Sequence, residues 1–142
     1  MADITLRKAK TIIRATLAKG REAGLKPLSV VVLDAGGNMK AFEREDGASP
    51  GRFQIAQGKA YGAVMLGIAG TAQMARAEQQ AYFMAAMNGI YGGQTVPVPG
   101  GILVRGRKGE VIGAVGVTGD SSDNDAVAGL AGIAVAGLEG EA

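Results

Sequence analysis

The chain has 142 residues, a net charge of +2, 47% apolar and 20% charged residues, so it is built to bury a core and is not a disordered segment. It contains no Cys and no His, which excludes disulfides, thiol nucleophiles, imidazole acid–base chemistry and the commonest metal ligands. The small charge and the absence of Trp give no nucleic-acid signature, and no run approaches the roughly 18 apolar residues of a membrane span. One domain over residues 1–142 is the expectation. The first residues, Met1 to Lys8, carry no apolar signal core, so a cytoplasmic location is expected too.

Thr5 is placed to cap a first helix, with Leu6, Ala9, Ile13 and Leu17 at helical spacing. Arg7, Lys8, Lys10, Arg14 and Lys19 take its wet side, and Gly24 and Pro27 end it. Residues 29–33 are almost continuously β-branched and predict a strand covered on both faces. Asp34-Ala35-Gly36-Gly37-Asn38 supplies turn residues, and residues 39–43 return as a second strand. After a polar loop, residues 53–65 predict a helix with Ala56, Ala60 and Ala63 on one side. Residues 71–87 predict one further helix, with Met74, Met84 and Met87 near one face.

The Gly/Pro-rich segment 88–101 is too long for a plain connector and is a candidate functional loop. A second hairpin follows, with strands at 102–105 and 110–117. A last helix is expected over 124–138, with Ser122 and Asp125 at capping-box spacing. This order predicts a mainly antiparallel sheet covered by helices.

Several residues have both a chemical and a structural reading. Lys59 is able to bind a carboxylate, act as a base or form a Schiff base; its plainer role is an ion pair in a packed helix. Tyr61 lies two positions on, about 200° around the helix, so the two side chains point apart. Asp34 could orient Lys59 or act as a general base; equally, it accepts turn amides. Arg44 and Arg52 are placed to fork onto a carboxylate or to make local ion pairs. Gly100 and Gly101 either present amides to an anion or launch the next strand. Asp120, Asp123 and Asp125 lack the pattern of a calcium loop and read as capping and solvated residues, and no metal site is expected. Met74, Met84, Met87, Tyr82 and Phe83 would line an apolar pocket or a subunit interface.

Four stretches carry a family resemblance: SVVVLDAGGNMKAFEREDG at 29–47, IAQGKAYGA at 55–63, VPVPGGILV at 96–104 and GEVIGAVGVTGDSSDNDA at 109–126. Together they resemble the GlcG/HbpS-like haem-binding family, a domain also found at the C-terminal end of PduO-type cobalamin adenosyltransferases. The resemblance implies a profilin-like α/β (α+β) fold, a five-stranded antiparallel sheet flanked by helices, and homo-oligomers. It also implies haem or a related tetrapyrrole as ligand and cofactor. Without His or Cys, the candidate iron ligands are Tyr61, Tyr82, Tyr91 and the six Met, with Lys, Thr or water weaker.

The leading expectation is therefore a small-molecule-binding protein using Arg44, Arg52, Lys59, Tyr61, Gly100 and Gly101, with no nucleic-acid or membrane partner. Its rival is an isomerase, hydratase or lyase acting on a small carboxylic acid through Lys59 and Asp34. A third reading is an assembly protein without ligand.

Overall fold

The computed structural model describes residues 3–142, so Met1, one of the candidate iron ligands, lies outside the described residues. The β-branched run forms β1 (Ser29–Asp34), and its side chains alternate between two cores, as a strand covered on both faces must. Val30 and Val32 enter one core, Val31 and Leu33 the other. β1 pairs antiparallel with β2 (Met39–Arg44) on one side and with β4 (Val111–Thr118) on the other. β3 (Gly101–Arg105) and β5 (Glu139–Glu141) complete the antiparallel sheet in the order β2-β1-β4-β3-β5.

One face is covered by α1 (Leu6–Glu22) and α5 (Ser122–Val135), which pack on each other and on Val30, Val32, Ile102 and Val115. The other face is covered by α2 (Arg52–Leu66) through Ala56, Ala60 and Ala63. These small side chains let the helix lie directly on the strands. A Cβ at Gly116 would collide with the carbonyl of Ala56. Outside α2 sit α3 (Gly70–Gln79) and α4 (Ala81–Ile90). The five-stranded antiparallel sheet with five helices is the α+β architecture that the resemblance implied.

The structure corrects three local expectations. The single helix expected over 71–87 breaks at Gln80, whose backbone leaves the helical region at φ −137° and ψ 61°. Arg76 steadies that break: its Nε donates to the Gln80 side chain and its guanidinium lies 4.1 Å over the ring of Phe83. The cap of α5 is Ser121, whose hydroxyl accepts from the amide of Asn124, instead of Ser122 with Asp125. That helix ends at Val135, and the residues beyond it add the short edge strand β5.

Candidate functional site

Lys59 lies on the sheet side of α2 and is 2% exposed. Its side chain runs past Gly100 to the end of β4, where Nζ donates to the Val117 carbonyl at 2.9 Å and to Asp125 Oδ2 at 3.2 Å. Asp125, in the first turns of α5, is equally buried; its other oxygen accepts from the Asp120 amide at 2.9 Å. Burial pushes the Lys59 ammonium down from its ordinary value, the Asp125 charge opposes that, and Arg52 adds to it. Burial likewise pushes the Asp125 carboxyl up, against the Asp120 amide and Lys59. The two charges are held by one another, so Lys59 serves here as an internal tie and is not presented to an outside carboxylate.

Gly100 and Gly101 are part of the same arrangement. A Cβ at Gly100 would stand 2.6 Å from the Val117 carbonyl and 2.9 Å from Lys59 Nζ. The Pro-Gly-Gly turn makes a passage for the Lys59 side chain, which lies against Gly100.

Asp34 is not brought to Lys59. Its Oδ1 accepts from the amides of Gly36 and Asn38, both at 2.9 Å, which fixes the β1–β2 turn. Val117 pairs with Val30, so Asp34 lies four residues farther along β1, about 13 Å at the ordinary strand rise. The expected Lys59–Asp34 proton-transfer pair is therefore not assembled. Arg52 is half-buried and donates to Thr118 Oγ1 at 2.9 Å, while Arg44 is exposed at the end of β2.

The outer side of α2 carries a different feature. Phe53, Gln54, Gln57 and Gly58 form one wall of a groove of about 360 Å³, and Gly93 and Gln94 form the other. Gln57 Oε1 is buried there without a hydrogen-bond partner. Tyr61, one turn beyond Gln57, packs against Gly37 and meets Tyr91 edge-on at 6.2 Å. Phe53 meets Phe42 of β2 edge-on at 4.9 Å. Lys59 and Tyr61 thus leave α2 on different sides, as their spacing requires.

A family model described as "Haem degrading protein HbpS-like" matches residues 4–134. The chain belongs to this family. An uncharacterised 15.0 kDa protein from the dhaT–dhaS intergenic region of Citrobacter freundii is 34% identical over 125 residues, covering 88% of this chain and 86% of that one. The crystal structure of HbpS superposes with a TM-score of 0.83 at 30% identity, over 95% of this chain and 91% of that chain. The structure of a PduOC–haem complex has the same fold, with a TM-score of 0.85 at 22% identity over 96% of each chain.

For an HbpS-like chain without imidazole or thiolate, the oxygen and thioether donors stand as follows. Tyr61 and Tyr91 are half-buried beside the groove, whereas Tyr82 is 73% exposed on α4. Met84 is buried, Met39 is 55% exposed, and Met65 packs against Gly37 with Tyr61. The apolar groove, with the Tyr61–Tyr91 pair on the neighbouring turns, fits a haem held through oxygen.

Residue-level reading of the sequence missed Asp125 as a partner and Phe53 and Gln57 as groove walls. One signal was present: a lone Lys among Ala and Gly on a packed helix face requires a buried carboxylate. Nothing local to residues 120–125 marks which Asp supplies it.

Proposed function

We propose that this protein binds haem or a closely related tetrapyrrole in the groove along the outer side of α2. The observation that carries the reading is the groove itself, apolar at Phe53 and Gly58, with Tyr61 one turn farther along the same helix. The family's description as haem degrading supports the ligand class.

Tyr61 and Tyr91 are the oxygen donors we assign to the iron side. Arg44, on the same face of β2 as Phe42, is the cation we assign to a propionate. Bound haem would supply redox and oxygen chemistry. The chain's own contribution is to hold the ring edge against Phe53 and to keep water off one face.

We also read the chain as a cytoplasmic homo-oligomer. Support comes from α4, which has no charged residue yet leaves Tyr82 and Ile90 73% and 69% exposed, and from the absence of cysteine.

Titration of the purified protein with ferric haem, followed at the Soret band, tests the reading. A saturable shift that weakens at least tenfold in Gln54→Trp, which fills the groove from its exposed rim, is expected. No saturable shift, or equal affinity in Gln54→Trp, would overturn it.

A further inference from the structure

At the end of the sheet where α2 begins, a second cavity of about 220 Å³ opens beside Lys26, Ser49, Arg52 and Gly119. It is smaller than the α2 groove and its chemistry is different. Arg52 stands half-buried in its wall, and no carboxylate lies within ion-pair distance of it among the described residues. One of its five N–H donors goes to Thr118 Oγ1 at 2.9 Å; Thr118 itself is 1% exposed. That bond holds the Arg52 side chain in place from behind.

The ammonium of Lys26 likewise forms no ion pair among the described residues. The nearest acid is Asp120. Its oxygens already accept from the Lys26 amide, the Ser121 amide and the Asn124 side chain. Behind Arg52, Lys59 and Asp125 neutralise each other. The rim keeps one positive charge in excess, counting Arg52 and Lys26 against Asp120.

The surrounding backbone is fixed. Glu45 accepts from the Leu28 amide at 2.7 Å and pairs with Arg21, which anchors the start of the 45–51 loop. A side chain at Gly119 would collide with the Pro27 carbonyl, so this wall is closed by backbone alone.

We propose that this cavity binds a small carboxylate, clamped by the Arg52 guanidinium and approached by Lys26 and Ser49. The planar fork of Arg52 matches two carboxylate oxygens, and the volume of about 220 Å³ suits a molecule of a few heavy atoms. The site is independent of the haem groove, which lies on the opposite side of α2.

Amide NMR of the apo-protein tests it, titrating sodium acetate and sodium lactate against sodium chloride at matched ionic strength. Saturable shifts at Gly47, Ser49 and Gly119 with the carboxylates, and none with chloride, are expected. They weaken at least tenfold in Arg52→Gln and persist in Arg107→Gln, a surface change far from the cavity residues in sequence. Arg52→Lys keeps the charge, removes the fork and also weakens binding severalfold, which serves if Arg52→Gln does not fold. Equal shifts with chloride, no saturable shift, or unchanged affinity in the folded Arg52 variant would overturn the proposal. Haem is absent throughout, so failure here is distinct from failure of the haem titration.

Discussion

Lys59 Nζ and Asp125 Oδ2 stand 3.2 Å apart with both side chains buried, and together they join the helices on opposite faces of the sheet. Lys59 starts on α2 and Asp125 on α5; they meet around the end of β4, where the Val117 carbonyl takes a second bond from Nζ. Desolvating two charges costs several kcal/mol each, and the pair persists because each charge answers the other and the Val117 carbonyl and Asp120 amide add hydrogen bonds. The tie fixes the middle of α2, while Arg52 at its start is held by Thr118.

Removing one member leaves the other charge buried alone. Lys59→Met or Asp125→Leu is expected to cost about 3–5 kcal/mol, while the joint apolar replacement recovers most of the loss. Urea unfolding of the two single variants and the double variant reads this coupling. Additive losses would show that the pair is not the link described.

Gly100 has φ +107°, and a Cβ there would meet both Lys59 Nζ and the Val117 carbonyl. Gly100→Ala is therefore expected to cost roughly 2 kcal/mol or more, from backbone strain and overpacking together. Thermal unfolding checks it. Gly51→Ala, with open space around the added methyl, should shift the midpoint far less.

The Asp120 carboxyl is held down to about 2, first by the Asn124 side chain, then by the amides of Lys26 and Ser121. Its folded value lies below the unfolded one of 3.8, so its stabilising effect is complete above that pH and is lost as the pH falls toward 2. Acid titration of stability should be flatter in this window for Asp120→Asn than for the wild type.

Legibility followed the range of the interactions. The Thr5 cap, the two-sided burial of Val30 to Leu33 and the Asp34 turn are local, and each was readable from neighbouring residues. The Lys59–Asp125 tie spans 66 positions and leaves no periodic trace. Asp125 sits in an Asp- and Ser-rich run that looks solvated, and only the fold shows that its carboxylate faces inward. The split at Gln80 was hidden because the helix formers on either side are continuous. β5, the segment Glu-Gly-Glu, has no strand propensity and is held by pairing with Leu103 to Arg105. The groove was missed because Phe53 and Gln57 become neighbours of Gly93 and Gln94 only after the 88–101 segment folds back onto α2.

Haem seated in the groove along α2 would broaden nearby amide signals when ferric, so paramagnetic broadening locates it. Broadening is expected at Phe53, Gln54, Gln57, Gly58, Tyr61 and residues 91–94, with α1, on the opposite face of the sheet, unaffected. Broadening centred elsewhere, or spread evenly over the surface, would contradict this placement.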